Sequence, residues 1–227
     1  MSCFAIIPAK SRSTRLPGKN MLPLAGVPMV QRVLETVLST GIFDEVWVST
    51  DCIEIANICE KSGAKVLFRP EELAQDLSTL NEVCFHWLSS LEQKPDIFCC
   101  TYATSVFLTA DDYISAKQQL IESCDGVMGV SKYNYPPVQA MEVNAEGHLA
   151  MLMPKYEKVQ SQNFPDCYVS NGSQYWLRTH AYEKEQTFYL NNLNPYVTDE
   201  THILDINTKI DFEMAVNRAR ELGWFEL

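Results

Sequence analysis

"CFAIIPAKSRSTRLPGKN" (residues 3–20) joins an apolar run to a basic loop, and this junction decides the fold that the sequence predicts. The run is almost wholly apolar and stops at Pro8, which is typical of a strand buried on both faces of a parallel sheet. Beyond the loop, apolar residues recur at helical spacing from Val30 to Leu38, with Pro28 at the expected first helical position. The segment therefore predicts a strand, a loop and a helix in that order.

The same alternation continues through the first half of the chain. Apolar runs rich in β-branched residues predict strands at 45–50, 65–68, 96–102 and 126–131. Helical spacing predicts helices over 53–62 and 111–123, and Thr79 has the spacing of a capping box with Glu82. Such alternation implies right-handed βαβ crossovers. We therefore expect an α/β fold, with a mostly parallel sheet covered by helices on both faces, in a single domain over 1–227.

The alternation stops between 132 and 170, where prolines interrupt the helical spacing. In this stretch "VQAMEV" and "HLAMLM" flank the turn sequence "NAEG", which predicts a β-hairpin and hence a small antiparallel insertion over 132–170. Strand character returns with "SQYWLR" (173–178). We expect the chain to close with the extended stretch "HILDIN" (202–207) and an amphipathic helix that begins after Thr208.

The basic loop is opposite in charge to the rest of the chain. The protein has a formal net charge of -11, whereas Met1 to Leu34 contains five lysines and arginines and no acid. An acidic protein that binds anions must concentrate its cations locally, and this loop leaves its strand at the edge where open α/β sheets bind ligands. The loop has neither the Walker A nor the GxGxxG pattern. We therefore expect another kind of phosphate-binding loop at 9–20.

Charge and the opening residues also exclude some partners and locations. A net charge of -11 argues against non-specific binding to nucleic acid and to membranes, because both are driven by positive surface. The opening "MSCFAIIPAK" has an apolar run that is too short for a signal peptide, has no basic residues before it and stops at a proline. We therefore expect a protein of the cytoplasm.

Five blocks of the sequence resemble one family in the order in which that family carries them. "IIPAKSRSTRLPGKN" and the following "PLAGVPMV" are similar to the signature of the sugar-activating cytidylyltransferases. The later blocks are "VWVSTDCIEIANICEKSGAKVLFRPEELAQD", "CCTYATSVFL" and "QSQNFPDCYVSNGSQYWLR". Tyr102 stands where the neuraminate enzymes have glutamine and is more typical of relatives that activate pseudaminic acid. The chain thus resembles the acylneuraminate and nonulosonic acid cytidylyltransferases, and most of all their pseudaminic acid branch.

This resemblance implies a Rossmann-like nucleotide-diphospho-sugar transferase fold and a reaction for bacterial surface glycans. CTP and an acidic 2-keto sugar would give a CMP-sugar and pyrophosphate, with Mg²⁺ as cofactor. The resemblance assigns nucleotide binding to Ala9, Lys10, Ser11, Arg12, Ser13, Arg15, Lys19 and Asn20. Arg15 and Lys19 are the expected catalytic residues, because cations held near the leaving pyrophosphate lower the barrier. Lys10 stands where the family usually has arginine, and Ser11 and Arg12 stand at small, often glycine, positions.

The resemblance also implies a sugar site. The sugar's carboxylate needs hydrogen-bond donors, and the candidates are Tyr102, Thr104, Ser105, Gln162, Ser170, Asn171, Gly172, Ser173 and Tyr175. Two of them have competing structural interpretations, since Tyr175 fits equally well as strand core and Gln162 as a surface residue.

A metal site is implied near the end of the chain, with one departure from the family. The family carries D-I-D there, and this sequence reads "ILDIN". Asp205 and Asn207 are therefore the expected Mg²⁺ ligands, with a neutral amide oxygen in place of the second carboxylate. Three interpretations stay open: Asp205 and the triphosphate hold the metal, Asp211 compensates, or catalysis has been lost. Asp211 also has the spacing of a capping-box acid after Thr208.

Two other functions and an assembly are compatible with these residues. "STRLPGK" is also similar to the 3-deoxy-manno-octulosonate cytidylyltransferases. The departures at Lys10, Arg12 and Asn207 fit a catalytically impaired homologue that binds a nucleotide without turnover. In the relatives the insertion corresponding to 132–170 makes the dimer contact, so the resemblance implies a homodimer.

Overall fold

A seven-stranded sheet forms the centre of the fold in the computed structural model, which describes residues 1–75 and 77–225. The strands of this part of the chain are β1 (Cys3–Pro8), β2 (Pro23–Leu24), β3 (Val27–Pro28), β4 (Glu45–Thr50), β5 (Lys65–Phe68), β6 (Ile97–Thr101), β7 (Gly126–Lys132), β8 (Met141–Val143), β9 (Leu149–Met151), β10 (Tyr168–Arg178) and β11 (Leu193–Val197). Its α-helices are α1 (Met29–Ser39), α2 (Ile53–Lys61), α3 (Leu80–Ser90), α4 (Ala110–Gln118), α5 (Thr179–Glu185) and α6 (Lys209–Glu221). None of these described helices has the length and hydropathy needed to span a membrane.

One strand of the large sheet is reversed. The strands lie in the order β11, β7, β10, β6, β1, β4, β5. β1 pairs in parallel with β4 and β6, β4 with β5, and β11 with β7. β10 runs antiparallel to both of its neighbours, β6 and β7. The expected mostly parallel α/β sheet is therefore confirmed.

Separate apolar clusters cover the two faces of the sheet, and β1 shows why. Successive side chains of a strand point to opposite faces. Ala5 and Ile7 belong to a cluster to which α1, α2, α4 and α6 contribute, whereas Phe4 and Ile6 belong to one with α3 and α5. Burial on both faces explains why this strand is an unbroken apolar run.

Several helix boundaries differ from the sequence expectation. Pro28 belongs to β3 in an extended conformation, and α1 begins one residue later at Met29. α4 ends at Gln118 instead of reaching residue 123. The capping box of Thr79 and Glu82 at the start of α3 is confirmed.

The expected extended strand at 202–207 is wrong, and this affects the site. Within the described chain these residues pair with no strand. The carbonyl oxygens of Thr201 and Ile203 instead accept hydrogen bonds from Arg218 Nη1, at 3.1 and 2.7 Å. β11 takes the sheet edge beside β7, where its Pro195 is tolerated because an edge strand pairs on one side only.

The segment between β7 and β10 contains the expected hairpin. β8 and β9 pair antiparallel as a separate two-stranded sheet. Asn144 Oδ1 closes the turn by accepting the backbone N–H groups of Glu146 and His148, at 3.1 and 2.8 Å. The hairpin leaves the apolar side chains of Met141, Val143 and Leu149 exposed.

Candidate active site

Hydrogen bonds hold the loop after β1 against the carboxyl ends of the parallel strands. Ala9 extends the pairing of β1 with β4 by donating its N–H to a β4 carbonyl at 2.8 Å. Asp51 accepts the backbone N–H of Ser11 at 2.7 Å and the Ser11 hydroxyl at 2.5 Å. Burial opposes the ionised form of Asp51, but these hydrogen bonds outweigh burial and lower the pKa of the carboxyl. Asn20 Nδ2 donates to the Lys10 carbonyl at 2.9 Å and ties the two ends of the loop together.

Gly18 turns the loop back toward the sheet. Its φ of 65° lies in the left-handed region that glycine adopts without steric cost. A 3-10 turn over Lys19–Met21 follows directly. The Lys19 N–H donates to the carbonyl of buried Leu16 at 3.1 Å, which anchors the loop on the core.

A basic cavity of about 220 Å³ lies beside this loop. Its wall includes Lys10, Lys19, Asn20 and Arg69, and the described residues that line it include no aspartate or glutamate. Arg69 directly follows β5 and is only 7% exposed, and its Nη2 donates to a β4 carbonyl at 2.9 Å. Burial lowers the pKa of Arg69, and the nearby charge of Asp51 opposes that shift. Three cations in one small wall suit an anionic ligand.

A larger cavity, which we call the tyrosine cavity, also has Lys19 in its wall. It has a volume of about 620 Å³ and contains the side chains of Tyr102, Tyr175 and Tyr189 in its wall. The wall also includes Arg15, Lys19, Thr104, Ser131, Ser170, Asn171, Gly172, Asp205 and Asn207. Lys19, Tyr102 and Thr104 line both cavities, so the two spaces meet at these residues.

The amino-terminal end of β10 supplies the polar wall of the tyrosine cavity. The register of β10 against β7 shifts between Ser170 and Tyr175, where the hydroxyl oxygens of these two residues lie 2.8 Å apart. Asn171 Oδ1 accepts the hydroxyl of Ser173 at 2.6 Å and its backbone N–H at 3.1 Å. The wall is therefore fixed by its own hydrogen bonds before any ligand arrives.

Gly172 and Tyr102 face each other across this wall. Gly172 has a φ of 66°, and a Cβ added to it would lie 3.6 Å from the ring of Tyr102. Burial raises the pKa of the Tyr102 hydroxyl and the neighbouring Tyr175 adds to the effect. Tyr102 therefore keeps its proton and can donate a hydrogen bond to a ligand in either cavity.

Asn207 binds both expected catalytic cations. Its Oδ1 accepts hydrogen bonds from Arg15 Nη2 at 2.9 Å and from Lys19 Nζ at 3.2 Å, and its Nδ2 donates to Asp205 Oδ2 at 2.5 Å. Burial lowers the pKa of Lys19, the charge of Asp205 opposes this shift, and the charges of Arg15 and Lys10 add to it. Two cations and one carboxylate are thus assembled around a single amide group.

Asp211 caps α6. Its Oδ2 accepts the backbone N–H of Thr208 at 2.7 Å and that of Asn207 at 2.9 Å, while its own N–H donates to Thr208 Oγ1 at 3.3 Å. The hydrogen bond from the Asn207 backbone, followed by those from Thr208, lowers the pKa of Asp211. The capping-box interpretation of Asp211 is therefore confirmed.

The residues expected to hold Mg²⁺ present one anionic donor. Asp205 offers a carboxylate, whereas the Asn207 oxygen faces Arg15 and Lys19. Residues 1–75 and 77–225 contain no group of three or more histidine, cysteine, aspartate or glutamate side chains that could share a metal ion. This donor set fits an ion held by Asp205 together with phosphate oxygens of a nucleotide, and it does not fit ligation by Asn207 in the observed orientation.

The two cavities bring together most of the residues predicted for the site. Lys10, Asn20 and the shared Lys19, Tyr102 and Thr104 line the basic cavity, and Arg15, Ser170, Asn171, Gly172, Tyr175, Asp205 and Asn207 line the tyrosine cavity. Tyr175 is also nearly buried, so its strand-core interpretation holds at the same time. Ser105 and Ser173 lie in a narrow space next to the tyrosine cavity.

Five predicted residues lie away from these two cavities. Ser11 and Arg12 line a separate space of about 340 Å³ beside Asp51. Ala9 is buried and Ser13 half-buried, and neither is among the described residues that line the two cavities. Gln162 is exposed in the insertion and donates to a neighbouring glutamine at 2.6 Å, in agreement with its surface interpretation.

Four residues that shape the site are not among those predicted from the sequence: Arg69, Asp51, Ser131 and Tyr189. Arg69 and Asp51 carry a usable signal, because each follows a predicted parallel strand and therefore lies at the same sheet edge as the loop. Ser131 lies in β7, which was predicted as a strand without a site role. Tyr189 lies on the connection after α5, and only tertiary packing brings it to the cavity.

Comparison with known proteins identifies the family. The sequence model of a family described as cytidylyltransferase matches residues 4–222. The pseudaminic acid cytidylyltransferase of Campylobacter jejuni subsp. jejuni serotype O:2 is 30% identical over 220 residues, which cover 95% of this chain and 95% of that protein. The N-acylneuraminate cytidylyltransferase of Escherichia coli O18:K1:H7 is 30% identical over 215 residues, which cover 94% of this chain and 51% of that protein.

Solved structures agree with the fold. CMP:2-keto-3-deoxy-manno-octonic acid synthetase, solved in complex with CTP, superposes with a TM-score of 0.72 at 19% identity over 100% of both chains. The 4-diphosphocytidyl-2C-methyl-D-erythritol synthase of Anaerococcus prevotii superposes with a TM-score of 0.69 at 13% identity over 96% of this chain and 98% of that one. With the family match running through all but the two ends of the chain, the protein belongs to the cytidylyltransferase family and is a nucleotidyltransferase.

Proposed function

We propose that this chain transfers CMP from CTP to a nonulosonic acid of the pseudaminic or neuraminic type and releases pyrophosphate. The observation that carries the proposal is the junction of a basic cavity and a polar, tyrosine-lined cavity at Lys19. Relatives named for pseudaminic acid and for N-acylneuraminate are each 30% identical over most of this chain. Two substrates that react with each other need two adjoining sites with the reacting groups at the boundary.

The nucleotide is assigned to the basic cavity and the adjoining loop. Lys10, Lys19 and Arg69 give this wall a positive charge in a protein that is negative overall. The backbone of the loop is held in place by Asp51 and Asn20, so the cations need little reorganisation when a triphosphate binds.

The acidic sugar is assigned to the tyrosine cavity. The hydroxyl groups of Tyr102 and Tyr175 in its wall can donate hydrogen bonds to the sugar's carboxylate. The family assignment alone does not choose between acceptors, and the fold neighbour that acts on 2-keto-3-deoxy-manno-octonic acid keeps that sugar as the second candidate.

The proposed chemical step is a displacement at the α-phosphate of CTP. The anomeric hydroxyl oxygen forms a bond to the α-phosphorus of CTP, and the bond from that phosphorus to the oxygen bridging to the β-phosphate breaks. The hydroxyl proton passes to water, and the leaving pyrophosphate carries the electron pair of the broken bond. Arg15 and Lys19 offset the charge that gathers on the leaving group, which is electrostatic stabilisation of the transition state.

Mg²⁺ is part of the proposal, with Asp205 as the protein carboxylate that would hold it alongside phosphate oxygens. The ion would supply further neutralisation of the phosphate charge.

A panel of acceptor sugars tests the function. Purified protein is incubated with CTP, Mg²⁺ and, separately, pseudaminic acid, N-acetylneuraminic acid and 3-deoxy-manno-octulosonic acid, and pyrophosphate release is followed. We expect release with one of the first two sugars and not with UTP in place of CTP. Preference for the third sugar would move the chain to the octulosonate branch. Release with none of them would support the nucleotide-binding homologue without turnover.

We further propose that the protein is a cytoplasmic homodimer that docks through its hairpin and binds neither nucleic acid nor membranes. Met141, Val143 and Leu149 on β8 and β9 are between 55% and 69% exposed, and such apolar side chains on one hairpin favour burial against a second copy. Sedimentation equilibrium of the wild type and of Val143→Asp tests this assembly. A monomeric wild type would reject the dimer, and a dimeric Val143→Asp variant would reject this hairpin as its contact.

A further inference from the structure

The amide of Asn207 has an orientation that its neighbours determine. Its oxygen faces two donors, Arg15 and Lys19, and its NH₂ group faces the Asp205 carboxylate. Turning the amide over would set NH₂ against both cations and oxygen against the carboxylate, which loses three hydrogen bonds and adds like-charge contacts. The observed orientation is therefore the stable one.

The same amide holds the two cations close together and leaves the cluster around it with a net positive charge. Distances of 2.9 and 3.2 Å to one oxygen put Arg15 Nη2 and Lys19 Nζ no more than about 6 Å apart. Asp205 is the carboxylate that shares this amide, and the charges of Lys10 and Asp211 also act on Lys19. Three cations and two carboxylates leave this cluster with one net positive charge. An aspartate at 207 would cancel that charge.

We propose that Asn207 is a positioning residue that holds Arg15 and Lys19 as a net-positive pair for the triphosphate, so that this chain binds CTP with less dependence on Mg²⁺ than the same site with two carboxylates. This inference rests on the proposed function, because it takes CTP as the ligand. It gives the asparagine, where the family pattern has a second acid, a role of its own and separates that role from metal ligation.

Asn207→Asp is the matched two-carboxylate version of the site. The new carboxylate would pair with Arg15 and Lys19 and compete with phosphate for them. It would also lie next to Asp205, and the repulsion between two adjacent carboxylates favours an added cation. Affinity for CTP without metal should therefore fall, and the gain in affinity on adding Mg²⁺ should rise.

Isothermal titration calorimetry with CTP, in EDTA and in Mg²⁺, measures both quantities on the full chain. We expect the wild type to bind CTP in EDTA, and Asn207→Asp to bind it on the order of tenfold more weakly there, a change of about 1.4 kcal/mol. Asn207→Ala, which removes the shared acceptor without adding charge, should weaken binding severalfold in both buffers. The ratio of affinities with and without Mg²⁺ should be larger for Asn207→Asp than for the wild type, a difference that mere loosening of the site would not produce.

Asn217→Asp is the control, because it adds the same charge on the exposed face of α6 and should leave both affinities unchanged. Thermal unfolding verifies that the variants fold, which we expect because the cap of α6 uses the backbone N–H of Asn207 and not its side chain.

The outcomes separate this inference from the proposed function. Absence of CTP binding by the wild type in both buffers would overturn the function and the inference together. CTP binding by the wild type only in Mg²⁺ would overturn the inference alone. Metal-free affinity of Asn207→Asp or Asn207→Ala equal to that of the wild type would do the same.

Discussion

Replacing Lys19 by methionine removes a positive charge from the boundary of the two cavities and keeps most of the side-chain volume. Among the described residues, Lys19 is the one charged side chain that lines both cavities. At an effective dielectric constant of 20, a unit charge about 4 Å from a phosphate oxygen interacts by about 4 kcal/mol. Water in the open cavity and the competing contact with Asn207 reduce this to the value of a charge-assisted hydrogen bond, about 1.5–3 kcal/mol. CTP should therefore bind roughly ten- to a hundredfold more weakly to Lys19→Met.

The same substitution should cost little fold stability. The variant loses a 3.2 Å hydrogen bond to Asn207, and it no longer keeps an ammonium group half-buried. These effects oppose each other, so the free energy of unfolding should change by less than about 1 kcal/mol. Calorimetry with CTP and thermal unfolding measure the two quantities, and Lys61→Met on the exposed end of α2 is the matched control. CTP affinity within twofold of the wild type, or an equal loss in the control, would refute the role of Lys19.

Three further changes test how the site is held. Asp51→Ala removes the acceptor for both Ser11 hydrogen bonds and should raise the KM for CTP by roughly threefold to tenfold with a smaller change in kcat, since the charges of the loop remain. Asp112, in the first turn of α4, accepts hydrogen bonds from the Thr109 backbone N–H at 2.8 Å and from the Tyr196 hydroxyl at 2.9 Å. Asp112→Asn weakens these charged hydrogen bonds, so its free energy of unfolding at neutral pH should be about 1.5–3 kcal/mol lower, and it should lose less stability than the wild type as the pH falls toward 3. Burial would raise the pKa of Asp112, but its hydrogen bonds outweigh burial and lower it, so its contribution exists above the unfolded pKa and is lost as pH falls through the folded value. Gly129 lies in β7, and the methyl group of Gly129→Ala would clash with the Ser173 hydroxyl next to the tyrosine cavity. This variant should turn over the sugar more slowly and bind CTP as the wild type does.

Each of these three has a result that would contradict it. An unchanged KM in Asp51→Ala would show that the loop holds its shape without this carboxylate. Equal acid sensitivity of the wild type and Asp112→Asn, measured by urea unfolding at several pH values, would reject the assigned hydrogen bonds as a source of pH dependence. Weaker CTP binding in Gly129→Ala would show that the two cavities are not independent.

The sequence predicted the elements that depend on local spacing. The capping boxes of α3 and α6 and the apolar run of β1 follow from residues within a few positions of one another. The contact of Lys19 with Asn207 joins residues 188 positions apart, and its geometry depends on how the unpaired stretch before α6 is held. Asn207 could thus be located from the family pattern, whereas the direction in which its amide points could not.

β11 and Tyr189 show the same limit. β11 contains Asn194 and Pro195, which reduce its strand signal, and it forms because β7 offers an open edge. Tyr189 reaches the cavity from a connection without a motif. Residues close in the sequence predict neither the pairing of β11 with β7 nor the position of Tyr189 at the cavity, because packing between distant segments determines both.

The reversed strand β10 also determines where the insertion leaves and rejoins the sheet. Since β10 runs antiparallel to β7, the chain leaves the sheet after Lys132 and returns at Tyr168, which pairs with Lys132, beside the polar wall of the tyrosine cavity. The residues between these two points belong to the insertion, and the pairing of Lys132 with Tyr168 holds both of its ends on the sheet. The described residues that line the basic cavity and the tyrosine cavity all lie outside it. Replacing residues 133–167 with the corresponding piece of a relative should therefore leave the affinity for CTP unchanged and alter the proposed contact between two copies.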